Sequence, residues 1–219
     1  MCGRYHLLTE GAGLAELFGV PALATHQPRY NAAPSQMLPS IAEDKAGVRH
    51  AGRLRWGFVP RWAADPKKAP INARSETAGG SPFFADCLRL RRCLVPADGF
   101  YEWLRRGRHK QPFCFRLWDD EPFAFAGLWD VWQGPGGPLP TFCILTTAAN
   151  ELVRPAHDRM PVIVSRRHYD LWLSRDVEDA GELACVLRPF ASDAIRAFPV
   201  GPAVNDARKD GPECLASPA

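Results

Sequence analysis

Proline and glycine interrupt this chain so often that no long helix can run through it: 21 prolines and 18 glycines are scattered along 219 residues. Proline lacks a backbone donor and clashes with the preceding helical turn, while glycine in a helix interior costs conformational entropy. What remains is a series of short apolar segments between turns, which is the pattern of strands. "MLPSIAEDKAGVRHAGRLRWGF" reads as two strands around a turn at 44–47, and "RCLVP" as a third. "QPFCFRLW" and "PFAFAGLWDVW" alternate like strands, and "GPGGPLP" reads as a loop before a strand at "TFCILTT". Helices are expected to be short and peripheral, over 10–18 with Thr9 as N-cap, at "FFADCLRLR", and over 148–153, 166–173 and 191–197. The expected class is α+β: one domain over 1–219 (core 2–213, tail 214–219), with curved antiparallel β-sheets forming a barrel-like core inside short helices.

A chain of this length with 46% apolar residues can bury a core without disulfide staples. Its seven cysteines are an odd number and follow no apolar secretory stretch, so free thiols and a cytoplasmic setting are expected. Cys87, Cys93, Cys114, Cys143 and Cys185 read as small buried apolar residues. No segment approaches the roughly 20 apolar residues of a membrane span. The sequence contains no C-x-x-C, no H-E-x-x-H, no P-loop and no dinucleotide fingerprint, so neither a metal nor a cofactor is expected. Charge is uneven: residues 1–110 carry 17 Lys+Arg against 9 Asp+Glu, and residues 111–219 carry 10 against 15. A basic half suits a polyanionic partner, and equally it solvates a surface.

Several polar residues sit in apolar surroundings. In "PADGFYEW", Asp98–Gly99 reads as a turn and Glu102 lies between Tyr101 and Trp103. Pointing inward, Glu102 would be desolvated with a raised pKa, as suits a general acid or base; pointing outward, it is a surface carboxylate. His157, ahead of the strand in "AHDRMPVIV", is a proton shuttle or a loop histidine in an ion pair. "INARSET" puts Asn72 and Arg74 on one face of an extended segment, a two-way hydrogen-bonder beside a cation with phosphate geometry, or else forms a polar edge strand. Trp62 stands in a proline-bounded loop.

The chain begins "MCGRYH". Once Met1 is removed, Cys2 carries an α-amine and a thiol on adjacent carbons. The α-amine titrates near pH 8 and lysine about two and a half units higher, so at neutral pH the free-base fraction of the α-amine is larger by a factor of several hundred. It forms an imine with an aldehyde, and the adjacent thiol closes a five-membered thiazolidine with the high effective concentration of an intramolecular step. An N-terminal cysteine is thus an aldehyde trap. It also has the makings of a nucleophile for amide hydrolysis with its own amine as base.

Taken together, "MCGRY", "RYNAAPS", "LRWGFVPRW", "INARSET", "RCLVPADGFYEW", "FAFAGLWD", "TFCILTTAAN", "HDRMPVIV" and "VNDARKDGPE" closely resemble the SRAP family, the SOS-response-associated peptidase domain proteins. The resemblance runs in order from Cys2 to about Glu213. It implies a single SRAP domain, acting as a monomer, that binds single-stranded DNA and crosslinks to the opened aldehyde of an abasic site through Cys2. It implies Asn72 beside the crosslinking residue, with Glu102 and His157 as the acid–base pair. Arg4, Asn31, Arg74 and Arg159 fall at DNA-contacting positions, and Trp62 at an aromatic that packs against bases. Some members carry a second tryptophan where this chain has Ala63, and a basic residue and a methionine where it has Ser81 and Pro82. Three functions follow, in this order: a covalent abasic-site shield with a lyase side reaction, a thiol peptidase with Cys2 as nucleophile, acting on other substrates or on Met1 alone, and a non-covalent single-strand or RNA-binding module.

Overall fold

The computed structural model describes residues 2–218 apart from 22, 24, 25, 67, 68, 108 and 180. Its strands, in chain order, are β1 (Tyr5–Leu7), β2 (Arg29–Ala32), β3 (Met37–Glu43), β4 (Arg49–Trp56), β5 (Asn72–Arg74), β6 (Arg92–Ala97), β7 (Gly99–Arg106), β8 (His109–Leu117), β9 (Phe123–Gly134), β10 (Gly137–Ala148), β11 (Arg159–Pro161), β12 (Ile163–Val164) and β13 (Ile195–Pro199). Four short α-helices lie among them: α1 (Gly11–Phe18), α2 (Ser75–Ala78), α3 (Ala85–Leu90) and α4 (Tyr169–Leu173). None of the helices is long and apolar enough to cross a membrane among the described residues.

Strands β10, β4, β3, β6 and β9 pair in that order, and β9 returns to β10, closing a five-stranded barrel. A closed ring with an odd number of strands cannot alternate in direction all the way round. The one parallel contact in the ring falls at β10–β4, where Thr141 faces Arg55; the other four are antiparallel. A second sheet, ordered β13-β8-β7-β1-β2, is antiparallel throughout. The α+β class and the barrel-like core read from the sequence are therefore present. The pairings of β10 with β4 and β5 depart from an all-antiparallel expectation.

One apolar cluster joins the two sheets. Tyr5 of β1 packs on Trp56 at 5.5 Å and on Phe125 at 5.7 Å, and Trp56 stacks on Phe142 at 6.2 Å. All four rings are fully buried, each contributing roughly 1.5–3 kcal/mol by removal from water. Cys2 belongs to the same cluster and is fully buried, so it is not the exposed, mobile terminal residue that its position suggests.

Several local expectations change. The helix expected over 10–18 forms over Gly11–Phe18, but Thr9 does not cap it: its hydroxyl donates to Asp98 at 2.7 Å. Asp98–Gly99 is not a hairpin turn; it is the point where the chain leaves the barrel at β6 and enters the second sheet at β7. The Asp98 carboxylate also accepts the backbone N–H groups of Leu8 and Thr9. Gly99 is required there because a Cβ would lie 2.4 Å from Nε2 of His6. "GPGGPLP" joins the β9–β10 hairpin, with Gly137 at φ +98°. No helix forms over 148–153: Ala148 ends β10 and residues 151–156 form turns, with Pro155 supplying no N–H to continue a helical ladder. The expected helix at 191–197 is one 3₁₀ turn followed by β13. All seven cysteines are free, and Cys185 is exposed where a buried residue was expected.

His6 is fully buried in β1, with Nε2 3.4 Å from the Cys114 sulfur and Nδ1 without a hydrogen-bond partner among the described residues. Burial pushes its pKa down to about 3, and the charge of Arg116 adds to the shift. The folded value lies below the unfolded one, so the stability contributed by the neutral ring is complete above pH 6.5 and is lost as pH falls toward 3. That group alone should remove about 2 kcal/mol between pH 7 and pH 5. Urea unfolding of wild type and His6→Asn at the two pH values tests this: the wild-type loss should exceed the variant's by about that amount. Equal losses would contradict it.

Candidate active site

Strand β10 is the spine of the site. Near its C-terminal end β5 lies along one edge in parallel, with Ile144 facing Asn72 and Thr146 facing Arg74. The other edge carries β11, with Ala148 facing Arg159. The turn between β10 and β11 presents His157, whose backbone N–H is held by Val153 O at 3.1 Å. From the other sheet, β7 pairs with β1, and Tyr101 N–H donates to Arg4 O at 3.0 Å, one residue before β1 begins. That ladder brings Cys2 alongside Glu102. A hydrogen bond joins the halves: Asn72 Nδ2 donates to the Cys2 carbonyl at 2.8 Å.

Electrostatics separates the roles. Glu102 is 3% exposed, and burial raises its carboxyl above the ordinary range. The alternation of β7 turns it inward, which resolves the choice left open by the sequence. Burial also pushes the Cys2 thiol far up, and the charge of Glu102 pushes it the same way. His157 is lowered, chiefly by burial, and so is neutral at pH 7. Both Arg159 N–H (2.9 Å) and Asp158 Oδ1 (2.8 Å) approach His157 Nδ1. The backbone N–H can only donate, so in the neutral ring Nδ1 holds the lone pair and Nε2 carries the proton. The Asp158 carboxylate, 83% exposed, becomes a partner only when the ring is protonated.

A cleft of about 390 Å³ opens here, lined by Glu102, Trp103, Arg105, Lys110, Ala156, His157 and Asn205. Arg105 and Lys110 face each other across β7–β8 and are exposed, giving the cleft a basic rim. Neither was singled out from sequence; their β7–β8 register, once known, would have paired them. Arg74 is exposed, and its guanidinium makes no hydrogen bond or ion pair among the described residues. Trp62 is 64% exposed, edge-on to Phe83 at 5.6 Å.

The other expected contacts are already engaged inside the protein. Arg4 Nη1 donates to Asn31 Oδ1 at 3.0 Å and to Val204 O at 2.7 Å. Asn31 is fully buried, and its Nδ2 donates to Asp206 O at 3.0 Å and Lys209 O at 2.8 Å. It holds the 204–210 segment and reaches no surface in this conformation, which departs from a direct DNA contact. Arg159 forms a fork on Glu76, with both N···O distances 2.7 Å, and donates to Thr146 O as well. Its side chain is 13% exposed, so here it braces α2 and β5 against β11. Glu76, overlooked in the sequence, is the acidic member of "INARSET" next to the residues that were chosen.

The family model for SOS response associated peptidase (SRAP) matches residues 1–207. The chain belongs to the SRAP family. Abasic site processing protein YoqW of Bacillus subtilis (strain 168) is 40% identical over 224 residues, covering 99% of this chain and 100% of its own. Abasic site processing protein HMCES of Gallus gallus is 32% identical over 87% of this chain and 66% of its own. A solved structure from Bordetella bronchiseptica matches with a TM-score of 0.78 at 27% identity, over 91% of this chain and 99% of that one. Another, from Bacteroides thetaiotaomicron, matches all of both chains with a TM-score of 0.90; at 22% identity it shows the fold alone. Within this SRAP chain, the Glu76–Arg159 fork is the feature that ties the Asn72 strand to the His157 turn.

Glu76→Ala should therefore cost about 1–2 kcal/mol, since it leaves a mostly buried guanidinium without its bidentate partner while Glu76 itself is half exposed. Urea denaturation measures it. A change below about 0.3 kcal/mol would show that the fork is an ordinary surface pair.

Proposed function

We propose that this chain processes abasic sites by capturing the opened sugar aldehyde in single-stranded DNA as a covalent thiazolidine on Cys2. The observation that carries the reading is the convergence of a buried Cys2, its carbonyl held by Asn72 at 2.8 Å, with a buried Glu102 of raised pKa. Abasic-site processing is also what the relatives YoqW and HMCES are named for.

The steps balance as follows. Removal of Met1 frees the α-amine of Cys2. The amine adds to the aldehyde carbon to give a carbinolamine, which loses water to give an imine. The thiol then adds across C=N: sulfur bonds to carbon, and the thiol proton passes to nitrogen. The product is protein plus DNA minus one water. Glu102, with a pKa shifted toward neutrality, takes the proton from the ammonium and returns it to the departing hydroxyl. His157 offers Nε2–H to the sugar oxygen as the ring opens. Asn72 fixes the Cys2 backbone so that amine and thiol face the cleft.

The raised Cys2 thiol supports this order, because a protonated thiol supplies the proton that the closing step needs. The same shift weighs against a thiolate nucleophile of the peptidase kind, which needs a lowered pKa. For DNA contact we assign the exposed Arg74 and the basic rim of Arg105 and Lys110 to phosphates. Trp62 is assigned to base stacking. Arg4, Asn31 and Arg159 act by holding the site together.

Intact mass after mixing with a single-stranded oligonucleotide bearing one abasic site tests the proposal. The expected species is protein minus Met1 plus DNA minus one water, absent with undamaged DNA. Cys2→Ala should bind the oligonucleotide and give no stable adduct without chemical reduction. Glu102→Gln should slow adduct formation on the order of 10²-fold at saturating DNA. No adduct from protein confirmed to begin at Cys2 would overturn the reading.

A further inference from the structure

The turn that carries Trp62 is fastened at three successive points, and the central one is a buried carboxylate. Ala63 N–H donates to Pro60 O at 3.0 Å, so Arg61 and Trp62 form the tip of a four-residue turn. Val59 N–H donates to Thr141 Oγ1 at 2.9 Å. Asp130, opposite Thr141 across β9–β10 and 1% exposed, accepts Arg61 N–H on Oδ2 and Arg61 Nε–H on Oδ1, each at 2.9 Å. Trp132, two residues along β9 on the same face, donates its indole N–H to Ala63 O at 2.7 Å. The turn is thus pinned at 59, 61 and 63 while the side chain of 62 is left 64% exposed, resting edge-on against Phe83.

We infer that Asp130 is a positioning residue that locks this turn so that Trp62 is presented as a rigid stacking face for a nucleobase. The inference rests on the reading of Trp62 as a DNA contact. A buried carboxylate is a poor way to gain stability, because its desolvation offsets much of the attraction to its partners. Asp130 is held by Arg61 and by Arg91, whose Nε lies 3.4 Å from Oδ1, and one of its bonds goes to the backbone N–H of the turn itself. That bond sets backbone geometry, which an apolar residue of similar size cannot do. A large exposed indole on an unpinned turn would lose backbone and rotamer freedom on stacking; here the turn is ordered before DNA arrives. Serial pinning by Thr141, Asp130 and Trp132 also explains why one hairpin faces the turn with three polar groups in register.

The test is anisotropy of fluorescein-labelled, undamaged oligo(dT) at fixed salt, with adduct formation on an abasic oligonucleotide as the second readout. Trp62→Ala should weaken binding about tenfold, the loss of one base stack. Asp130→Asn and Trp132→Phe should each weaken it about three- to tenfold. Adding Asp130→Asn to Trp62→Ala should cause no further loss, and the adduct rate at limiting DNA should fall in parallel with affinity across the single variants. Trp132→Phe keeps the test decisive if Asp130→Asn fails to fold. Additive losses, or no loss from either anchor variant while Trp62→Ala weakens binding, would overturn the positioning role. No loss from Trp62→Ala itself would overturn the assignment of Trp62 to DNA, which is a different failure.

Discussion

The β1–β7 ladder pulls the first residues of the chain into the interior, and the proposed chemistry depends on that. Ordering a chain terminus costs about 1–2 kcal/mol per residue in backbone entropy, and each buried N–H and C=O must find a partner. The partners are specific: Tyr101 for the Arg4 carbonyl, Asn72 for the Cys2 carbonyl, and Asp98 for the N–H groups of Leu8 and Thr9. Tyr5 supplies much of the offsetting apolar burial by inserting between Trp56 and Phe125 of the barrel. Without this insertion Cys2 would be a mobile thiol in water, and Glu102 an ordinary surface carboxylate.

Closure of the barrel explains where the site forms. With five strands in the ring, one contact must be parallel, and β10 is the strand that bears it. Beyond that contact β10 leaves β4, and past Ile144 it leaves β9, so that its free edges are taken by β5 and β11. These short strands carry Asn72, Arg74 and Arg159, and the turn before β11 carries His157. Residues far apart in sequence converge because one long strand has two edges to offer at the end where the ring lets it go.

Charge is distributed by tertiary context more than by count. Arg29 pairs with Asp210, Arg61 with Asp130 and Arg159 with Glu76, while Arg4 spends its donors on Asn31 and Val204. These arginines are braces. Among the described residues, the cations left at the cleft are Arg105 and Lys110 on its rim, with Arg74 exposed on β5. The excess of basic residues in the first half of the sequence is real, yet much of it is neutralised by acids from the second half.

Much of the local structure was legible in the residues. Alternation marked β8 and β9, apolar segments bounded by turns marked β3, β4 and β6, and prolines and glycines ruled out long helices. The proposed pairing of amine and thiol at Cys2 is read from the opening "MCGRYH". Register and burial were not legible, because both are set by distant segments. The chain cannot say by itself that Glu102 turns inward, that Asn31 is sealed beneath 204–210, that Gly99 is there to clear His6, or that Asp130 holds the Trp62 turn. Cys185 is exposed and Cys2 buried for the same reason: a side chain's own hydrophobicity is a weak prior, and packing decides. Composition and motif marked the strand-rich class and the SRAP family to which the chain belongs. Only the fold decided which groups are desolvated, which protons they hold and which cations remain free, because pKa and hydrogen-bond partners depend on neighbours that sequence distance does not reveal.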